Sequence, residues 1–354
     1  MQTDDNILDL LRKEGAEAAK KAQRGLIVQP GAIGDCILTL PLAGYMKEAL
    51  ALGGIDFLGH TEYIGFLPGR TCIDGVSSID SIELHRLFAE PKAFDLADGD
   101  PLINALAGYS WIATFLGEPN SNFEQNLIFA ANCSHSAEVI TLSMKPPKAF
   151  SEHLTDFYIQ QFITQSGVSS GPQGSRAGER LIKATKADTS RGRELLQEAG
   201  LGRFEKLVVI QPGSGGLRKC WHLDNFLAVA KELASSGIEV VFLLGPAEVD
   251  RFSQAKIKSM RSVARCLMDL SLTQVLGLLN CADGFIGNDS GITHLAAGLG
   301  IRTLAAFGPT KSAVYRPIGP AVTVLENSPR TFARKPSMRS QQKLLDALMP
   351  QANL

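Results

Sequence analysis

The residues best suited to chemistry lie in a small-residue turn in the last third of the chain. Residues 287–291 read Gly-Asn-Asp-Ser-Gly, and His294 follows three residues later. The apolar run 284–286 predicts a buried strand before the turn, and the Leu- and Ala-rich run 292–299 predicts a helix after it. A helix that begins at such a turn offers free backbone N–H groups to an anion, with the Asp or the Ser as its cap. This geometry suits a nucleotide diphosphate.

A second feature is that a similar opening occurs twice. Residues 26–35 read Leu-Ile-Val-Gln-Pro-Gly-Ala-Ile-Gly-Asp, and residues 208–216 read Val-Val-Ile-Gln-Pro-Gly-Ser-Gly-Gly. Each is an apolar strand followed by a glycine turn and a helical pattern. We therefore predict two α/β domains, each a doubly wound parallel sheet. The similarity is short and indicates shared architecture, without proving duplication.

Elsewhere the chain alternates short apolar runs with longer amphipathic runs, which is typical of parallel sheets covered by helices. In the first half we expect a helix at 37–50, a strand at 94–97 and a helix at 103–116. In the second half we expect helices at 190–199, 223–235 and 272–280, and strands at 207–211, 239–244 and 303–307. Residues 167–180 are rich in Gly, Ser and Pro and predict the linker between the domains.

Composition narrows the class of protein. The chain has 354 residues, 45% hydrophobic, enough for two ordinary cores. Its net charge of −1 gives no reason to expect a nucleic-acid partner. Six scattered cysteines without metal-binding spacing indicate thiols in a reducing cytoplasm and no metal site. We see no signal-peptide pattern and no apolar run of about 20 residues. We expect a cytoplasmic protein, with peripheral contact at the inner membrane left open.

Several catalytic motifs are absent from the sequence. It contains no G-x-G-x-x-G, no P-loop, no G-x-S-x-G elbow and no H-E-x-x-H. Dehydrogenase, ATPase, serine hydrolase and zinc protease interpretations therefore lose their main support.

The sequence resembles the family 9 glycosyltransferases, the lipopolysaccharide heptosyltransferases. The resemblance is carried, in the family's order, by residues 31–35, 211–215 with 219–221, 245–248, 287–291 with His294, and 307–310. These matches extend from about residue 25 to residue 325. The resemblance implies a GT-B fold, in which two Rossmann-like domains face a central cleft. It also implies inverting transfer of heptose from ADP-heptose, with no obligatory cofactor or metal.

The resemblance also implies a division of the chain. Residues 25–175 would form the acceptor domain and residues 176–325 the nucleotide-sugar donor domain. We expect residues 1–24 to be an additional N-terminal helical extension, and residues 326–354 to carry a last helix, 337–348, that packs back on the first domain.

Site residues follow from the resemblance. In the first domain the acceptor would meet Gly31, Gly34 and Asp35, with Asp35 as the general base. Lys219 would act in catalysis by neutralising the pyrophosphate that leaves. Donor binding would also involve further residues of the second domain, namely Ser214, Gly215, Glu248, Asp289, Ser290, Gly291 and His294.

Each of these residues also has a purely structural alternative. Asp35 could be a helix N-cap, and Lys219 a solvated loop lysine. Glu248 could supply only a favourable helix-dipole charge, with a ribose contact about equally expected. His294 could be a satisfied core histidine. Asp289 would repel a pyrophosphate, so we expect it to orient its neighbours or touch the sugar.

The acceptor is the least defined part of the prediction. The acidic segment 94–101 departs from the family pattern. Arg70, Arg86, Lys145 and Lys148 could meet acceptor phosphates, although surface solvation is the simpler role for each. The expected partners are a nucleotide sugar and a glycolipid or oligosaccharide. Three rival functions remain: a transferase for another nucleotide sugar, a nucleotide-sugar epimerase or hydrolase, and a non-catalytic nucleotide-binding protein.

Overall fold

The structure is a computed structural model that describes residues 23–168 and 178–338. Nearly all of the predicted N-terminal extension and C-terminal helix, and most of the predicted linker, lie outside the described residues. The described chain divides into two compact units. Their residues are 23–32, Thr39–Phe150 and 154–168 for the first, and Ile33–Leu38, Ser151–His153 and 178–338 for the second.

The first unit is built on a five-stranded parallel sheet with the order β3-β2-β1-β4-β5. The strands are β1 (Arg24–Gln29), β2 (Gly54–Gly59), β3 (Gly75–Ser78), β4 (Trp111–Thr114) and β5 (Glu138–Thr141). The helices are α1 (Ile33–Ala49), α2 (Thr61–Ile64), α3 (Pro101–Leu106), α4 (Asn122–Ala131) and α5 (Leu154–Ser166). The first residues of α1, Ile33–Leu38, group with the second unit. Short 3₁₀ helices occupy Ile79–Ser81 and Leu84–Phe88.

The second unit is built on a six-stranded parallel sheet with the order β11-β10-β9-β6-β7-β8. The strands are β6 (Leu207–Gln211), β7 (Glu239–Leu244), β8 (Arg265–Met268), β9 (Gly284–Asn288), β10 (Arg302–Phe307) and β11 (Val322–Glu326). The helices are α6 (Lys186–Glu198), α7 (Leu223–Ser235), α8 (Pro246–Arg251), α9 (Gln254–Arg261), α10 (Leu272–Asn280), α11 (Gly291–Gly298) and α12 (Ser312–Tyr315), with a 3₁₀ turn at Leu217–Lys219.

Both sheets are doubly wound, and this fixes where a ligand can bind. In the second unit the strand order reverses between β6 and β9, which are neighbours. Ligands of such sheets bind beyond the carboxyl ends of the strands at this switch point. The central strands are buried on both faces, as helices covering a parallel sheet require. The core of this unit includes Val208, Ile210 and Phe242 from the strands and Phe226 from α7.

Two element predictions in the first half are wrong. Residues 94–97 form a loop and no strand; the Asp95 carbonyl accepts a hydrogen bond from Arg86, and Phe94 packs on Phe129. The helix predicted at 103–116 ends at Leu106, and Trp111–Thr114 is strand β4. The apolar spacing resembled a helix, but aromatic and β-branched residues after a glycine favour a strand between β1 and β5.

Within the described residues, no helix combines the length and the apolar character needed to cross a membrane.

Candidate functional site

Two loops meet at the switch point of the second sheet, and Asn288 joins them. Asn288 ends β9 and is fully buried. Its amide nitrogen donates to the carbonyl oxygens of Pro212 and Gly213, at 2.9 and 3.0 Å, and its amide oxygen accepts from the Trp221 N–H at 2.8 Å. One side chain therefore fixes both ends of the loop that carries Ser214, Gly215 and Lys219.

Asp289 gathers polar side chains around a buried carboxylate. Lys219 Nζ lies 2.8 Å from Asp289 Oδ2, and Thr310 donates to the same oxygen at 2.9 Å. His294 Nε2 lies 3.8 Å from Oδ1, so its effect is electrostatic at that separation. Burial by itself raises the pKa of Asp289, but His294 and Lys219 outweigh it and hold that pKa at about 2. The carboxylate is thus ionised and orients its neighbours.

The start of α11 provides free backbone donors beside this carboxylate. Ser290 is the N-cap, because its hydroxyl accepts from the Thr293 N–H at 3.4 Å; it also lies 3.0 Å from Gln211 Oε1. Of the two candidate caps, Ser290 fills the position. In the part of the chain that the structure describes, the N–H groups of Gly291 and Ile292 donate to no protein acceptor. They are available to an anion.

The loop that carries Ser214 and Gly215, here called the glycine loop, packs closely on α8. Ser214 is buried and donates to the Asp289 carbonyl at 2.7 Å, which brings the loop against the start of α11. A Cβ on Gly213 would lie 1.7 Å from Glu248 Oε1, so any larger residue there would have to displace the Glu248 side chain. Glu248 is 3% exposed and accepts from the Gly245 N–H at 2.7 Å. Burial raises the pKa of Glu248, although the backbone hydrogen bonds oppose that shift.

Glu248 thus performs a capping role, and its contact with a ribose stays a prediction. Its second carboxylate oxygen faces Gln211 at 3.5 Å.

The site residues predicted in the first half lie just before or in the first turn of α1. Gly31 N–H donates to Gln29 Oε1 at 3.0 Å. A Cβ on Gly34 would lie 3.3 Å from His294 Cδ2, so within the second unit residues 33–38 contact the start of α11. Asp35 is partly buried in the first turn of α1. Because the helix begins at Ile33, four residues before the predicted start, the alternative of Asp35 as an N-cap is wrong.

His294 does not fit the alternative of a satisfied core histidine. Its side chain is 4% exposed, and its Nδ1 atom is buried without a hydrogen-bond partner among the described residues. A buried polar atom without a partner costs about 1–3 kcal/mol. Such atoms concentrate where a ligand completes the structure.

Two of the basic residues considered for acceptor phosphates have protein partners in the structure. Arg86 lies 2.8 Å from Asp100 in an ion pair, and Arg70 donates to the Phe66 carbonyl at 3.2 Å. Across residues 23–168 and 178–338, no three His, Cys, Asp or Glu side chains form a group that could hold a metal ion.

The profile of glycosyltransferase family 9 (heptosyltransferase) matches residues 134–345, more than half of the chain. The chain belongs to glycosyltransferase family 9. Lipopolysaccharide heptosyltransferase 3 of Escherichia coli is 31% identical over 140 residues, which cover 37% of this chain and 39% of that protein. The matched stretch therefore spans well under half of this curated relative.

Solved structures extend the similarity to nearly the whole chain. The family 9 glycosyl transferase from Veillonella parvula has a TM-score of 0.67 at 18% identity, covering 93% of this chain and 96% of that one. The E. coli heptosyltransferase WaaC with ADP has a TM-score of 0.63 at 17% identity, with 93% and 100% covered. At these identities the likeness shows the fold. The predicted GT-B fold of two Rossmann-like domains is confirmed.

Several residues that build this candidate site were not predicted from the sequence. They are Gln211, Arg251, Asn288, Thr293 and Thr310, all of which bind the loops through hydrogen bonds. Gln211, Asn288 and Thr310 stand inside segments that the sequence analysis had already singled out, so their place in those motifs was a usable signal. Arg251 had none, since its partners are backbone carbonyls 36 and 37 positions away.

Proposed function

We propose that this protein transfers heptose from ADP-heptose to a lipopolysaccharide-core-type acceptor, with inversion at the anomeric carbon. The observation that carries the proposal is the buried Asp289 carboxylate with Lys219, Thr310 and His294 around it, at the switch point of a family 9 fold. In this proposal residues 176–325 form the donor domain and residues 25–175 the acceptor domain.

The donor diphosphate would lie across the loop after β6 and the start of α11. Lys219 is 40% exposed, so its ammonium can reach a ligand while Asp289 holds it in place. The free N–H groups of Gly291 and Ile292 add two donors at the positive end of a helix. His294 Nδ1, which has no hydrogen-bond partner among the described residues, would give the ligand one more contact. Together these groups favour a diphosphate over an uncharged ligand.

Asp35 would be the general base of the reaction. Its carboxylate takes the proton of an acceptor hydroxyl while that oxygen attacks the anomeric carbon of heptose. The bond between that carbon and the diphosphate oxygen breaks, and its electron pair leaves with ADP. Lys219 and the backbone N–H groups stabilise the negative charge that develops on the diphosphate.

The test combines donor binding with transfer. Calorimetry with ADP-heptose, UDP-glucose and GDP-mannose should show tight binding of ADP-heptose alone. Transfer to isolated lipopolysaccharide core should be followed by mass spectrometry, and the anomeric configuration of the product by NMR. We expect Asp35→Asn to abolish transfer while donor affinity stays within about twofold, because the variant keeps the size of the side chain and loses the base.

Other outcomes would refute the proposal in distinct ways. Tight binding of UDP-glucose or GDP-mannose, with ADP-heptose weak, would reject the donor. Turnover of the donor without acceptor would indicate an epimerase or hydrolase. Full transfer activity in Asp35→Asn would reject that residue as the base. Glu118→Gln, at an exposed position of the first unit, is a matched control for the change of charge.

A further inference from the structure

The side chain of Arg251, the last residue of α8, binds the backbone of the glycine loop. Its Nη1 donates to the Ser214 carbonyl and its Nη2 to the Gly215 carbonyl, both at 2.9 Å. The guanidinium is a planar fork, so it can bond two successive carbonyls at once. Neither Arg251 nor this contact belongs to the motifs that the sequence analysis singled out.

This pairing also determines where the next two N–H groups point. In a trans peptide the C=O of one residue and the N–H of the next point in opposite directions. When Arg251 binds the carbonyls of Ser214 and Gly215, it turns the N–H groups of Gly215 and Gly216 away from itself. Both glycines are exposed, and neither N–H donates to an acceptor within the described chain.

The same pairing removes an obstacle to anion binding. Carbonyl oxygens carry partial negative charge and would repel a phosphate if they faced it. Arg251 keeps two of them occupied on the far side of the loop. On its other side the loop is fixed by the Ser214 hydroxyl, which donates to the Asp289 carbonyl at 2.7 Å. The loop is therefore oriented before any ligand arrives.

We propose that Arg251 is a positioning residue for diphosphate binding, which acts by presenting the N–H groups of Gly215 and Gly216 to a phosphate. The proposal rests on the nucleotide-sugar function proposed above. Arg251 touches the backbone of the loop, and the loop touches the phosphate. A lysine at this position keeps the positive charge but offers a single ammonium in place of a fork, so it cannot orient two carbonyls in the same way.

The first experiment compares ADP with adenosine by calorimetry in wild type, Arg251→Lys and Arg251→Ala. We expect both variants to bind ADP about 10- to 100-fold more weakly, because two hydrogen bonds to phosphate are lost, and to bind adenosine as the wild type does. Arg261→Lys, at an exposed position at the end of α9, is the matched control. If Arg251→Lys keeps wild-type affinity for ADP, charge alone matters and the proposal is wrong. An equal loss of adenosine affinity would also overturn it.

The second experiment observes the two amides directly. In protein labelled with ¹⁵N-glycine, the amide proton signals of Gly215 and Gly216 should move downfield when ADP is added, and much less in Arg251→Lys. Gly215→Ala and Gly216→Ala assign the signals, since a Cβ on Gly215 meets nothing within 4 Å and one on Gly216 approaches Lys219 Cγ at 3.7 Å.

The outcomes separate the two proposals. If wild type binds ADP and neither amide signal moves, the role of Arg251 is refuted while the donor assignment stands. If only UDP moves both signals, and Arg251→Lys weakens that effect, the role of Arg251 stands and the proposed donor is wrong.

Discussion

Replacing Asn288 with alanine should both loosen the proposed donor site and destabilise the second unit. The variant removes three buried hydrogen bonds, two to the carbonyls of Pro212 and Gly213 and one from the Trp221 N–H. At about 1 kcal/mol for each bond, the free energy of unfolding should fall by about 3 kcal/mol. Because these bonds hold both ends of the loop, we also expect ADP affinity to fall about 10- to 100-fold.

A second buried asparagine gives a matched control for stability. Asn126 is 3% exposed, and its amide nitrogen donates to the carbonyls of Leu87 and Ala89 at 3.0 and 2.9 Å in the first unit. Asn126→Ala should cost about 2 kcal/mol by the same reasoning and leave ADP affinity unchanged. Trp221 lies in the second unit and Trp111 in the first. A variant that keeps only Trp221 therefore reports urea unfolding of the second unit, and one that keeps only Trp111 reports unfolding of the first.

The comparison tests the reasoning in two ways. If Asn288→Ala loses less than about 1 kcal/mol, the three bonds contribute little to the folded state. If both variants lose stability and both weaken ADP binding equally, general destabilisation explains the loss, and Asn288 has no special role in shaping the loop.

Three further predictions concern the same loops. Asp289→Asn should lower the free energy of unfolding by about 2 kcal/mol at pH 7, because the carboxyl pKa is about 2 in the folded state against an ordinary value of 3.8. In urea titrations the difference between variant and wild type should shrink as the pH falls from 4 to 2, because Asp289 of the wild type then also becomes protonated. Gly213→Ala should displace Glu248 and lower the melting temperature, whereas Gly215→Ala should melt as wild type does; equal melting would contradict the close approach of Gly213 to Glu248. Lys219→Met should lower the kcat of sugar transfer, measured as ADP formed, about 100-fold and leave adenosine affinity unchanged. An unchanged kcat would show that Lys219 has no catalytic role.

The sequence predicts the second half of the fold well because its signals are local and agree with one another. Strands Leu207–Gln211 and Glu239–Leu244 and helix Leu223–Ser235 have the predicted bounds. Each is a clear apolar or amphipathic run that is followed by Gly, Pro or Ser, so that periodicity and turn residues indicate the same element.

The failures occur where periodicity alone had to decide. Residues 103–116 have apolar spacing compatible with a helix, and the strand Trp111–Thr114 is only four residues long. Its pairing with β1 and β5 decides its structure, and those partners are far away in the sequence. Strands β8 and β11 were also not predicted; each is a short, partly buried strand at an edge of the sheet.

The candidate site shows the same division between residue type and partner. Sequence reasoning brings Lys219, Asp289, Ser290 and His294 into one site, and the structure places Lys219 and His294 beside Asp289, next to Ser290. Sequence reasoning could not predict that Asp289 would hold Lys219, because an ion pair between residues 70 positions apart depends on how two loops fold. It also could not predict Arg251, whose partners are backbone carbonyls and carry no residue identity.

The repeated Gln-Pro-Gly segment shows why a shared motif does not imply a shared contact. Both glutamines are buried at the end of a central strand, so each amide needs partners. Gln29 finds them in its own turn and on helix α1, with the Gly31 N–H at 3.0 Å and Thr39 Oγ1 at 2.8 Å. Gln211 finds them on two other elements, with the Ser290 hydroxyl at 3.0 Å and Glu248 at 3.5 Å. The first glutamine therefore ties its turn to the helix that follows, whereas the second links three parts of the proposed donor site.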